Sequence, residues 1–358
     1  MANFINSLRT WRRTYVRPRA LVQKLLSPAI PLLATQARLK KYKNTGQAPR
    51  ILILANGGIG NAIEGTPLVQ ALRVLWPKAF LVLLGPKGDL FSDWCVVDHN
   101  VQNLEEAQAL GPFEKTFMIY GADLRQVPTS DLGLFGELYA PRQNSTQPFL
   151  KPEREVYLDL AKYMGYRGQA PPLYVSLRRP SFQIPAGDPL VCLLPGSKPE
   201  HLWRHKRWAH YGELSKLLLQ RFPQLSILIL GTGHDPVDES LLKMEGIFDL
   251  RGKCSLAETG WILKQADLVI GNDCGPMHIA DAVLAEHLVL FGPTCELKNG
   301  PRNRGLPIRV PVHCSPCQFD PVLLNTCPKA VCMEGITPEL VLSHAEKILT
   351  ARRSKQNV

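Results

Sequence analysis

The stretch GNDCGPMHIADA, residues 271–282, has the residue types and spacing to bind an anion. It follows an apolar, strand-like run at 266–270 and reads as a helix from Met277 onward. A strand that turns directly into a helix leaves unpaired N–H groups at the helix start, and these act together with the helix dipole on a negative ligand. Pro276 suits that first turn because its missing N–H had no partner to lose. Asp273, Gly275, Met277 and His278 complete the turn, and His278 can add a protonatable donor.

Three further loops carry comparable residues. The first is 56–64, with Gly58, Gly60, Asn61 and Glu64; the second is 195–197, ending in Ser197 and followed by Lys206-Arg207-Trp208; the third is 231–235. The first loop invites a dinucleotide reading, but its G-x-G-x-x-G pattern meets Ile63 in place of the last glycine. No carboxylate follows the second strand where a ribose hydroxyl would be held. A close approach of a sugar to the glycine backbone, with Asn61 and Glu64 facing a cleft, fits better than a nicotinamide site. A purely structural glycine turn is the plain alternative. Four thiols, Cys314, Cys317, Cys327 and Cys332, open with a C-x2-C step. They read either as reduced structural cysteines or as a structural zinc or cluster site, and a disulfide is a further alternative.

The elements that must position these residues alternate. Strands are expected at 50–55, 80–84, 116–120, 190–194, 225–230, 266–270 and 288–291. Helices are expected at 63–75, 155–164, 208–221, 238–244, 256–264 and 338–353. Strands alternating with helices of ten to fifteen residues predict an α/β fold of two Rossmann-like parallel-sheet domains facing a cleft. A Pro-rich stretch at 169–189 reads as the connection. The expected division is a basic leader at 1–48, an acceptor-side domain at 49–180, a donor domain at 181–336 that includes the Cys-rich loop 314–332, and a closing helix and tail at 337–358. In such sheets ligands sit beyond the carboxyl ends of the strands, where all four loops fall.

The formal net charge of +11 over 358 residues is local. Residues 1–50 hold eleven Lys and Arg and no acid, whereas 51–358 hold 31 basic and 31 acidic residues. The globular part therefore has no bias toward nucleic acid. In the leader, Phe4, Leu8, Trp11 and Tyr15 share one helical face opposite Arg9, Arg12, Arg13 and Arg17. That pattern suits docking of residues 1–45 on an anionic membrane surface, a disordered basic tail being the plainer reading. No run reaches the roughly eighteen apolar residues of a membrane span, and the run at 20–34 makes no convincing signal peptide. Nine scattered cysteines suit a reducing compartment.

These motifs carry a family resemblance. GGIGNAIEGTPLVQALRVLWP, LLPGS, KRWAHYGEL, RGKCSLAET, GNDCGPMHIADA and LFGPT occur in this order, and the chain resembles glycosyltransferase family 9, the heptosyltransferases of lipopolysaccharide core assembly. The resemblance implies a GT-B fold and an inverting transfer needing no metal. It implies an ADP-activated heptose donor, a lipid-linked saccharide acceptor, and a cytoplasmic location peripheral to the inner face of the bacterial inner membrane. It places Ser197 and Lys206 at the donor diphosphate, Asp273 and the turn Gly275 to His278 at the donor-binding helix start, and Cys254 and Ser255 along the nucleobase pocket. It also implies a catalytic aspartate where this chain has Asn61, and an amide cannot take a proton. Glu64, three residues on, is the replacement candidate; a chain that binds donor without transferring is the alternative.

Overall fold

The computed structural model describes residues 48–55, 57–119, 136–139, 151–198 and 201–356. The expected leader lies outside the described residues.

The first half runs β1 (Arg50–Leu54), α1 (Ile59–Glu64), α2 (Thr66–Leu75), β2 (Phe80–Leu84), β3 (His99–Val101), α3 (Leu104–Leu110), β4 (Lys115–Met118), β5 (Glu137–Tyr139) and α4 (Glu153–Tyr163). Its strands are all parallel in the order β3-β2-β1-β4-β5. The second half holds β6 (Leu190–Leu194), α5 (Tyr211–Arg221), β7 (Ser226–Ile229), β8 (Ile247–Asp249), α6 (Leu256–Gln265), β9 (Leu268–Asn272) and α7 (Gly275–Ala282). It continues with β10 (His287–Leu290), α8 (Glu296–Asn299), β11 (Gly305–Ile308), α9 (Pro321–Thr326), α10 (Val331–Glu334) and α11 (Pro338–Gln356). Its order, β11-β10-β9-β6-β7-β8, is again entirely parallel. In both sheets the strand order reverses once, between β1 and β4 and between β6 and β9. These are the switch points beside which ligands bind in doubly wound sheets.

Burial follows from composition. RILIL, LVCLL and LVIGN bury nearly every side chain, as expected of strands covered on both faces. The largest buried cluster passes from Ile53, Leu68 and Leu83 through Leu173 and Val175 to Leu230, Ile262 and Met277. The Pro-rich connection is thus a lace between the halves. The Ser176 N–H donates to Leu90 O at 2.8 Å and the Arg178 N–H to Ala257 O at 3.1 Å.

Two expectations need correction. The helix expected over 63–75 is two helices broken at Gly65, where a Cβ would run into Ile119 at the end of β4. The helix expected at 238–244 is only a 3-10 turn at Leu241–Lys243. Asp238 Oδ1 accepts the Ser240 N–H at 2.9 Å, and Gly246 (φ 81°) turns the chain into β8, which leaves too little length for an α-helix. Gly60 of the first loop and Gly275 also serve packing between helices. A Cβ on Gly60 would lie 2.5 Å from His278 Cδ2, and a Cβ on Gly275 would lie 2.8 Å from Ile59 Cβ. The start of α1 therefore rests directly on the start of α7, with no side chain between them. Gly60→Ala should lower stability by about 1–3 kcal/mol, the usual cost of overpacking. Chemical denaturation reads this; an unchanged midpoint would show that His278 moves aside freely.

Candidate active site

The site is built outward from Asn272, the last residue of β9, which is fully buried. Its Oδ1 accepts the Trp208 N–H at 3.1 Å and the Tyr211 hydroxyl at 3.1 Å, while its Nδ2 donates to Pro195 O at 2.6 Å. One amide thereby pins the loop after β6 and the segment carrying Lys206 to the end of β9. Lys206 Nζ lies 3.1 Å from Asp273 Oδ2, with both side chains largely buried. Burial alone would raise the Asp273 carboxyl, but the charges of Lys206 and His278 hold it below its usual range. Ser197 Oγ accepts from Arg207 Nε at 3.2 Å in the same loop.

A chain of side chains continues from Asp273 into the first half. Asn299 Nδ2 donates to Asp273 Oδ2 at 3.2 Å, Lys298 Nζ donates to Asn299 Oδ1 at 3.2 Å, and Lys298 Nζ also reaches Glu153 Oε2 at 3.0 Å. The other oxygen of Glu153 accepts from Asn61 Nδ2 at 2.7 Å and from the Tyr157 hydroxyl. Asn61 Oδ1 in turn accepts the Gly58 N–H at 3.3 Å, so this amide caps the first turn of α1 and grips Glu153 at once. Lys198 reaches the same corner, its Cε 3.6 Å from where a Gly58 Cβ would sit.

Glu64 is the last residue of α1. Arg154 grips it with two bonds, Nε at 2.8 Å and Nη2 at 3.0 Å, and His278 Nδ1 lies 3.1 Å away. Arg154 also reaches Asp281 Oδ2 at 2.6 Å. Burial tends to raise the Glu64 carboxyl, but bonding and charge from His278 and Arg154 outweigh it and bring its pKa down to about 2. The His278 imidazole is raised: burial opposes its charge, while the bond to Glu64 and the nearby carboxylates favour it. As placed, Glu64 holds a charge and has little affinity for a proton.

The remaining expected residues are more dispersed. Pro276 occupies the first turn of α7, and Met277 turns into the core, its N–H donating to Cys274 O at 3.1 Å. Ser255 caps α6 by accepting the Glu258 N–H at 3.2 Å, and it accepts from Arg178 at 2.9 Å, beside Asp89. Cys254 is half-buried there, and burial pushes its thiol up to about 11. Cys314, Cys317, Cys327 and Cys332 are all free. Burial first, then the neighbouring cysteines of the set, pushes Cys317 up to about 12 and Cys332 up to about 11. The four are not drawn together as ligands, however. Among the described residues no three His, Cys, Asp or Glu side chains are grouped to hold a metal ion.

Sequence reasoning missed Glu153, Arg154 and Tyr157 on α4, Asp281 on α7, and Lys298 and Asn299 on α8. The first turn of α4 reads as ordinary dipole-favouring acids. The only sequence signal for Lys298 is its place just after the LFGPT edge of β10.

Two parallel sheets of Rossmann order, with polar residues gathered where their switch points meet, define a GT-B glycosyltransferase fold. The chain belongs to glycosyltransferase family 9: residues 143–322 match the model described as "Glycosyltransferase family 9 (heptosyltransferase)". A Campylobacter jejuni lipooligosaccharide heptosyltransferase 2 is 30% identical over 177 residues, covering 46% of this chain and 52% of that protein. The chain thus spans about half the length of that curated relative. The structure of the Escherichia coli ADP-heptose lipopolysaccharide heptosyltransferase II aligns over 85% of this chain and 99% of its own, at 18% identity and TM-score 0.62. An Escherichia coli heptosyltransferase with ADP-2-deoxy-2-fluoro heptose aligns over 83% of this chain and 99% of its own, at 16% identity and TM-score 0.57.

The Glu64 network sets a pH dependence. Its folded pKa of about 2 lies below the ordinary 4.5, so its stabilisation is full above 4.5 and is lost as pH falls toward 2. The shift corresponds to about 3 kcal/mol. His278 is shifted the opposite way, so its contribution is full below 6.5 and fades as pH rises through its folded value. The melting temperatures of wild type and Glu64→Gln should therefore differ widely at neutral pH and converge below pH 4.5. A gap independent of pH would remove the charged Glu64 from the account.

Proposed function

We propose that this chain is an inverting, metal-independent heptosyl-type transferase. In this reading it takes its sugar from a nucleotide-sugar donor, ADP-heptose, and passes it to a lipid-linked saccharide of the lipopolysaccharide kind. The observation that carries the reading is the Lys206–Asp273 pair at the start of α7, beside the β6/β9 switch point. Family membership and the names of the relatives support the donor and acceptor classes.

The chemistry suits the residues. As the bond from the anomeric carbon to the diphosphate breaks, negative charge grows on the leaving oxygen. A lysine and a helix start held at that oxygen stabilise this charge more than they stabilise the ground state. Asp273 holds the ammonium in place before the donor arrives. The amide at position 61 favours a second reading, a sugar-nucleotide-binding protein that does not transfer.

In the favoured reading residues 1–45 dock on an anionic membrane surface at the cytoplasmic face. Among the described residues no helix is long and apolar enough to cross a membrane. The four thiols take no part in the reaction. As arranged they do not fit a zinc ion, so a structural zinc would require the 314–332 loop to draw inward, and elemental analysis of the purified protein decides between zinc and reduced thiols.

The decisive assay is nucleoside diphosphate release with a panel of sugar nucleotides and lipid-linked acceptors. Release should be largest with ADP-heptose, and Lys206→Ala should reduce kcat/KM by about 10²–10³. Binding of ADP without release from any donor would establish the non-catalytic reading; a near-normal rate for Lys206→Ala would turn attention to Lys198. Deleting residues 1–45 should abolish binding to anionic liposomes, and unchanged binding would exclude the membrane role.

A further inference from the structure

Four carboxylates are buried where the two halves meet: Glu64, Asp273, Asp281 and Glu153. All four are charge-paired. Glu64 faces Arg154 and His278, and Asp273 faces Lys206. Asp281 faces Arg154 and also accepts the Asn303 N–H at 2.9 Å. Glu153 is set apart by its neighbour at position 61: among the described residues its Oε1 has the neutral donors Asn61 amide and Tyr157 phenol, while Lys298 pairs with Oε2.

We propose that Glu153 is the general base of the transfer, with Asn61 and Tyr157 as its positioning residues; this rests on the transferase reading above. Asn61 cannot take a proton, but its amide holds Glu153 Oε1, and the Lys298–Asn299 arm links Glu153 to Asp273 of the Lys206–Asp273 pair. Lys298 is shared between Glu153 and the Asn299–Asp273 arm. A bound diphosphate brings negative charge that competes for this lysine and frees Oε2 for an acceptor hydroxyl. In the step, the acceptor O–H bond breaks and its proton passes to Glu153. The acceptor oxygen bonds to the anomeric carbon from the face opposite the diphosphate. The bond from that carbon to the diphosphate oxygen breaks, and its electron pair leaves with the nucleotide. Glu153 then returns its proton to solvent.

The amide–carboxylate pair also supplies its own control. An aspartate at 61 beside Glu153 would set two carboxylates together. Exchanging both groups, Asn61→Asp with Glu153→Gln, keeps one amide, one carboxylate and the hydrogen bond while moving the base.

The test uses the full-length chain with the donor and acceptor on which it is active. Glu153→Gln should lower kcat by about 10²–10⁴, the range for loss of a general base, and should remove the acid limb of the pH–rate profile. ADP affinity by calorimetry should stay within about threefold, roughly 0.6 kcal/mol. The exchanged double variant should recover at least about tenfold of the lost rate, and its acid limb should return. Should Glu153→Gln fail to fold, Glu153→Asp serves instead, with a kcat reduced about tenfold or more and the acid limb retained. An active wild type with a near-normal Glu153→Gln rate overturns the assignment alone, as does an acid limb that persists in Glu153→Gln or, for Glu153→Asp, is lost. A wild type that binds ADP but releases it from no donor overturns the transferase reading, and this assignment with it.

Discussion

The buried quartet of Arg154, Glu64, Asp281 and His278 is the interaction on which the rest depends. Arg154 comes from the first turn of α4 and bonds one carboxylate in each half, Glu64 on α1 and Asp281 on α7. Two carboxylates removed from water are costly unless both are paired and bonded. Here the guanidinium fork bonds both, and His278, whose affinity for a proton is raised, offsets the remaining charge when it is protonated. Removing one member would leave a charge buried and unpaired, which is why the four have to be considered together. The quartet also holds α1 against α7 closely enough that Gly60 and Gly275 have no room for a side chain.

With that contact fixed, the reactive groups are free to lie along a second, parallel line. Lys206, Asp273, Asn299, Lys298, Glu153 and Asn61 form a continuous series of bonds from the segment before α5 to the first loop. The two lines share an element, α4, which supplies Arg154 to the first and Glu153 to the second. Adjacent residues on one rigid turn thus join the halves and present a carboxylate between them. A site carried on helix ends and strand ends in this way is held more firmly than one carried on loops alone.

The readable part of the sequence was its centre. Strands β1, β2, β6, β7, β9 and β10 are largely runs of buried apolar residues, β4 buries Thr116 and Phe117 at its centre, and each was legible. The four strands that were missed, β3, β5, β8 and β11, are the four sheet edges. Edge strands are short and partly solvated, so they lack both the apolar run and a clear alternation; β11 even carries Pro307, which only an edge tolerates. The turn after β9 was legible for the related reason that glycine, proline and aspartate punctuate it. Glu153 and Arg154 were not, because their partners lie between 90 and 145 positions away along the chain and no local pattern records such a pairing. Glu64 showed the converse problem, since its spacing from Asn61 suggested a free acid and only the fold brings Arg154 to it.

The position that looked deficient in the sequence therefore reads differently in three dimensions. Asn61 has to cap the start of α1 through Gly58, and it lies next to a buried carboxylate from another element. An acid at that point would still accept the cap bond, but it would repel Glu153. An amide does both jobs, accepting with its oxygen and donating with its nitrogen, and so lets the carboxylate come from α4. The chemistry that a single loop residue would supply is then divided between two side chains, one that orients and one that accepts the proton. Because α4 also carries Arg154, the carboxylate's position becomes tied to the closure of the two halves. On the reading proposed here, base and donor site are aligned only when the quartet has formed.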